Sequence, residues 1–252
     1  MSAASSSPFP PGSLDWLTGH RQEPGSRVLA LAPSPGLCRA LAGMGMTVVA
    51  VHRDHDVAVR CHRIPGVTGV CALAESLPLE ACSFDAVVCH QAFHTLAPGL
   101  VLPQIARVLG PDGCLGVSWM VRDDTVPWVR RLAELLRTVD STAMRGDYGS
   151  QAAEALLTSP HFPEVDHADH RIWVPVTRPQ LVSMALDRPA VAALDEASRQ
   201  GLVARVERLH DDACGPGGLR LPYQLRTWRG WVDHSELTSP LEVDRGGLVI
   251  QI

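Results

Sequence analysis

The sequence predicts an α/β fold built on a mostly parallel sheet, and three observations predict it. Residues 27–32 and 46–52 are short, nearly continuous apolar runs, the pattern of strands buried on both faces. A helical stretch separates them, and strand and helix go on alternating to about residue 121, at spacings that suit right-handed crossovers. At 252 residues and 46% apolar content, the chain is long enough to bury one such core.

Each element has its own justification. RVLALA (27–32) is the first strand. LCRALAGM follows as a short helix over 36–44, stopped by Gly45. The second strand, 46–52, leads into a helix over 54–62. GVTGVCALAESLPL (66–79) gives a third strand and a loop. Phe84 to Cys89 form a fourth strand with a polar, aromatic exit. PGLVLPQIARVLG (98–110) is helical, with Gly110-Pro111 reading as its stop, and CLGVSWMV (114–121) is a fifth strand. In the second half, 126–140 is amphipathic, with Val126, Val129, Leu132, Ala133, Leu136 and Val139 on one stripe and Pro127 in the first turn. A strand is expected over 164–176. Thr177 is the expected N-cap of the next helix, 194–212 is a further helix, and 219–232 is the last strand.

Composition excludes several functions. Net charge is −5, which offers no sequence-independent grip on nucleic acid. There is no lysine, so Schiff-base chemistry and a P-loop lysine are absent. No apolar run reaches membrane-spanning length. The seven cysteines are dispersed and include no C-x-x-C pair, the usage of a reduced, cytoplasmic protein. The N-terminus is Ser/Pro-rich without a signal-peptide pattern. The domain reading is a disordered tail over 1–12, one domain over 13–232 (core 25–123, C-terminal elements 124–232), and an extension over 233–252.

Three runs then become specific: Phe84-Asp85-Ala86-Val87; Gln91-Ala92-Phe93-His94; and Arg107-Val108-Leu109-Gly110-Pro111-Asp112-Gly113. Ala74-Glu75-Ser76-Leu77-Pro78 precedes them in the order of the same pattern. Over residues 25 to 230 the chain resembles the class I S-adenosylmethionine-dependent methyltransferases, and is most similar to their small-molecule branch of the trans-aconitate type. The resemblance implies a Rossmann-like, seven-stranded, mostly parallel sheet with an antiparallel last strand and helices on both faces. It also implies S-adenosylmethionine across the carboxyl ends of the first strands.

The first turn departs from that family's V-L-D-L-G-x-G-x-G. Ala30 stands at the acidic position, Ala32 and Ser34 replace two glycines, Pro33 and Pro35 are added, and Gly36 alone remains. A Cβ narrows a close backbone approach, and a proline removes an N–H. The second strand ends in His52 where the family places Asp or Glu, and Asp54 two residues on is a candidate substitute. A neutral imidazole offers a single acceptor nitrogen. A lost buried hydrogen bond costs about 1–3 kcal/mol, so two or three uncompensated losses weaken binding roughly 100-fold to 10,000-fold.

The resemblance places Ala32, Ser34, Gly36, His52, Ala74, Glu75, His90 and Gln91 against the cofactor, and His94 as the general base or acceptor-orienting group. The partner is a small-molecule acceptor, with a homodimer or partner protein left open. The alternative function is a non-methylating homologue, a scaffold subunit or a cleft reassigned to another ligand. Histidine-rich runs at 52–56 and 166–170 match no zinc pattern, so no metal is expected. Cys71 and Cys89 read as buried, inert thiols, and Trp119, Trp128 and Trp173 as core or acceptor-pocket walls.

Overall fold

The computed structural model describes residues 9–20, 25–141, 143, 148–238, 243–244 and 247–248. In chain order the elements are α1 (Ser13–Leu17), β1 (Arg27–Leu31), α2 (Pro35–Gly43), β2 (Thr47–His52), α3 (His55–His62), β3 (Val67–Cys71) and β4 (Phe84–His90). A 3₁₀ turn (Phe93–Thr95), α4 (Pro98–Val108), β5 (Leu109–Arg122), α5 (Pro127–Arg137), α6 (Tyr148–Leu157) and β6 (Glu164–Pro175) follow. The chain continues with α7 (Arg178–Leu186), α8 (Pro189–Ala192), α9 (Glu196–Ala213), β7 (Arg220–Trp231) and α10 (Ser235–Thr238), then the short pair β8 (Val243–Asp244) and β9 (Gly247–Leu248).

Seven strands form one sheet in the order β3-β2-β1-β4-β5-β7-β6, with six parallel strands and the last, β7, antiparallel. The chain leaves β1 toward β2 and β3, then returns to the other side of β1 with β4. That reversal is a topological switch point. Val28, Leu29, Ala30 and Leu31 are fully buried, which explains why β1 reads as an uninterrupted apolar run. Ala30 pairs with Ala50 on β2 and Val88 on β4.

The chain divides into two compact units. The first comprises 1–118, 149–167 and 227–252; the second comprises 119–148 and 168–226. In the first, α2 contributes Leu37 and Leu41 to the core, α3 contributes Ala58 and Cys61, and α4 contributes Val101 and Ile105. Asp85 Oδ2 accepts the Arg27 N–H at 2.8 Å, joining the start of β4 to the start of β1. In the second, the expected stripe on α5 is buried at Val129, Leu132, Ala133 and Leu136, and Val129, Leu132 and Leu136 share one cluster with Leu181, Ala185, Leu202 and Val206. Thr177 caps α7 in a reciprocal box with Gln180, as expected from sequence.

Four local expectations change. Strand β5 begins at Leu109, five residues early, and takes in the Gly110-Pro111 expected to end α4. Phe84 pairs with Leu109 and Ala86 with Cys114, so residues 110–113 form a bulge between them, with Asp112 at φ 60°. Cys71 is exposed rather than buried, because β3 is the edge strand. Phe9, inside the segment expected as tail, is 7% exposed, with its ring 4.8 Å from that of His90. Residues 1–8 of that tail, and most of the extension beyond 238, lie outside the described residues. The helices α1, α6, α8 and α10 have no counterpart in the sequence reading.

Candidate functional site

At the carboxyl ends of β1 to β4 lies a cleft of about 220 Å³, entirely within the first unit. Its wall gathers Ala32, His52, Ala74, Glu75 and Gln91 from the expected set, along with Val51, Arg53, Leu73, Ala92 and Leu96. Ser34, Gly36, His90 and His94 lie outside that wall.

Ala32 follows β1 directly and takes φ 45°, the left-handed region, where a Cβ costs about 1–2 kcal/mol. Its N–H donates to the Val51 carbonyl at 2.8 Å, which fixes the turn to β2. Ser34 has a structural task as N-cap of α2, its Oγ accepting the Leu37 N–H. Pro35 suits the first helical turn, where an N–H has no intrahelical acceptor. A Cβ on Gly36 would meet only Ser34 Oγ, at 3.6 Å, so packing within the protein does not demand glycine there.

His52 ends β2. Its Nδ1 accepts the Asp54 N–H at 2.9 Å, a bond that puts the ring proton on Nε2. The ring nitrogen left for a ligand is therefore a donor. Asp54 does not replace the missing acid: its Oδ1 caps α3 by accepting the Asp56 and Val57 N–H groups. Those two bonds hold its carboxyl below the usual range. The carboxylate that does reach the cleft is Glu75. One oxygen, Oε1, accepts the Ala97 N–H at 3.2 Å, and Oε2 has no partner among the described residues.

On the β4 side, Gln91 takes φ 61°, with its N–H donating to the Ser118 carbonyl at 2.8 Å. His90 lies behind the wall, its Nδ1 2.9 Å from Ser118 Oγ. Burial pushes the imidazole pKa down to about 4, so it is neutral near pH 7. Burial likewise pushes the Cys89 thiol up to about 12, an inert thiol. His94 is exposed on the 3₁₀ turn, next to the cleft-lining Thr95.

The loop carrying Glu75 is held by Arg107, whose guanidinium donates to the Leu79 carbonyl at 2.8 Å and the Leu77 carbonyl at 2.9 Å. Gly113 is packed so tightly that a Cβ would lie 2.8 Å from the Gly110 carbonyl. In the second unit, Trp119 and Trp128 are buried, while Trp173 is exposed beneath Arg171. Among the described residues no group of three His, Cys, Asp or Glu side chains could hold a metal, and no helix is long and apolar enough to cross a membrane.

Sequence reasoning missed Leu73, Arg53 and the proton position on His52. Leu73 and Arg53 carried no motif. The His52 tautomer depends on a backbone N–H two residues away, which no residue letter announces.

Residues 32–117 match the methyltransferase domain family. An uncharacterized methyltransferase of Mycobacterium tuberculosis strain H37Rv is 31% identical over 222 residues, covering 85% of this chain and 86% of the relative. A methyltransferase-like protein of Schizosaccharomyces pombe is 34% identical over 132 residues, 51% of this chain and 52% of that protein. Among solved structures, a proposed type II methyltransferase from Anaeromyxobacter dehalogenans has a TM-score of 0.64 at 20% identity, over 89% of this chain and 96% of that one. At that identity the likeness concerns the fold alone.

Proposed function

The chain belongs to the class I S-adenosylmethionine-dependent methyltransferase family, and from that membership we propose that it moves a methyl group from S-adenosylmethionine to a small organic acceptor. This is the chemistry of the family's trans-aconitate type branch. The observation that carries the proposal is the cleft at the switch point, where Ala32, His52, Ala74, Glu75 and Gln91 converge. The residues suit the adenosine part of the cofactor. Leu73, which is 57% exposed, and Leu96 offer apolar cover to a flat base. Glu75 Oε2 is an open acceptor for hydroxyl or amino protons.

When bound, the cofactor supplies an electrophilic methyl group on a sulfonium. The protein's part is to hold and orient the two reactants in line, which accounts for much of such a rate. His94, exposed at the exit of β4, takes up the acceptor's proton or orients it. Ser34 and Gly36, at the start of α2, lie outside the cleft wall, and only the family resemblance assigns them to the methionine end. The acidic balance argues against a nucleic-acid acceptor, and a cytoplasmic location belongs to the same proposal.

Isothermal titration with S-adenosylmethionine and S-adenosylhomocysteine tests the reading. Both are expected to bind in the micromolar range. Glu75→Gln keeps the acceptor for Ala97 but removes the open oxygen, and is expected to weaken binding about tenfold. His94→Ala is expected to lower kcat about 100-fold with little change in KM. A folded chain that binds neither compound at millimolar concentration overturns the proposal. That outcome would favour the second reading, a cleft given over to another ligand, which the donor at His52 supports.

A further inference from the structure

We infer that the His52–Arg53 corner of the cleft takes a phosphate carried on the ribose of an adenine nucleotide, at its 2′ or 3′ oxygen. The inference concerns the same cleft as the reading above but does not require S-adenosylmethionine to occupy it.

The argument begins with hydrogen-bond sign. A ribose diol presents two O–H donors and needs acceptors at the end of β2. His52 has used its acceptor nitrogen on the Asp54 N–H, so Nε2 presents a proton. Arg53 follows directly, lines the cleft, and is exposed. Its guanidinium forms no hydrogen bond or ion pair among the described residues, and it can only donate. The corner therefore offers donors where a diol also brings donors, so at this corner the diol's protons meet no acceptor, and the open carboxylate oxygen of the cleft belongs to Glu75.

A phosphate reverses that mismatch. It brings acceptor oxygens and negative charge, and an arginine fork meets it in bidentate geometry. Open α/β nucleotide sites follow the same logic: an acidic residue after the second strand reads a free ribose, and a nearby arginine reads a phosphorylated one.

The neighbouring carboxylates do not undo this. Asp54 is turned to the start of α3 through its Oδ1, and Glu75 is fixed by the Ala97 N–H. The Leu73 and Leu96 side chains give an adenine base apolar cover in the same cleft.

The test compares adenine nucleotides that carry two phosphates each and differ in phosphate position. The full chain is titrated with 2′,5′-ADP, 3′,5′-ADP and 5′-ADP, with S-adenosylhomocysteine in parallel. One of the first two is expected to bind at least about tenfold tighter than 5′-ADP, and which one identifies the oxygen that carries the phosphate. Arg53→Gln is a surface change that leaves packing intact and is expected to erase that preference. His52→Asp is expected to erase it too, while raising affinity for S-adenosylhomocysteine by about tenfold. Equal binding of all three diphosphates, or a preference that survives Arg53→Gln, overturns the inference. Its failure is separable from that of the methyl-transfer reading. Tight S-adenosylhomocysteine binding without a diphosphate preference sinks the phosphate corner alone. A clear preference with silence toward S-adenosylhomocysteine sinks the cofactor reading alone.

Discussion

The β4–β5 side of the first unit and the β1–α2 turn both carry pieces of the family pattern, but they answer to different demands. On the β4–β5 side the patterned Asp85, Arg107 and Gly113 serve the protein itself. Asp85 receives the Arg27 N–H, and Arg107 holds the carbonyls of Leu77 and Leu79. Gly113 sits where a side chain would strike the Gly110 backbone. In the β1–α2 turn the surviving glycine has no such task, since a Cβ on Gly36 finds only ordinary contact with Ser34. The fold therefore retains the first set whatever the cleft binds. The second set is free to change with the ligand. A family signature can thus be strong evidence for architecture while saying little about the cofactor.

The largest expected effect separates the two regions by stability. Gly113→Ala forces a Cβ toward a backbone oxygen at 2.8 Å and is expected to destabilise the protein by about 3 kcal/mol. Arg107→Ala removes two charge-assisted bonds to carbonyls and is expected to cost a similar amount, about 2–4 kcal/mol. Gly36→Ala, in the first turn of a helix, is expected to raise stability by no more than about 1 kcal/mol. Guanidinium denaturation measures all three. A Gly36→Ala variant as unstable as Gly113→Ala would break the comparison.

The next effect is a pH dependence on the β4 side. Burial of much of its ring pushes the half-buried His90 imidazole down to about 4 in the fold, against an ordinary 6.5. The unfolded chain therefore binds this proton before the folded one does. Stability from this group is present above pH 6.5 and is lost as pH falls through 4. Across that window the slope is expected to approach 1.4 kcal/mol per pH unit, about one proton's worth. His90→Gln is expected to flatten the slope, read from denaturation midpoints between pH 7 and 4. An unchanged slope would mean that the imidazole is solvated and that Phe9 does not cover it.

What the sequence made legible follows the same division. Alternating apolar runs located β1, β2 and β4 because burial on both faces leaves little choice of residue. The stripe on α5 was legible because Val129, Leu132 and Leu136 all meet one core. The start of β5 was not, because Gly110-Pro111 is a helix stop in most settings and here forms a bulge after Leu109 has already paired with Phe84. Helix α1 has five residues, too few to show a period. Within the cleft, the family resemblance pointed to Ala32, His52, Ala74, Glu75 and Gln91. They did not reveal that Asp54 is committed to α3, nor which nitrogen of His52 faces outward, since both depend on backbone N–H groups placed by the fold.

The smallest effect falls on Ala32, and it sharpens the comparison most. Its left-handed backbone is disfavoured by about 1–2 kcal/mol for a residue with a Cβ. Ala32→Gly relieves that strain but gives the unfolded chain more freedom, worth about 0.4–1 kcal/mol in the opposite direction. The net change in stability is expected to lie within about 1 kcal/mol of zero. Affinity is the discriminating readout, because the substitution also clears a Cβ from the cleft wall. If S-adenosylhomocysteine binds more tightly to Ala32→Gly while stability is unchanged, the alanine restricts that ligand, and the turn has moved away from the cofactor. If affinity is unchanged, the turn has rebuilt its contacts around the Cβ, and the departure of the cleft from its family is confined to the His52–Arg53 corner.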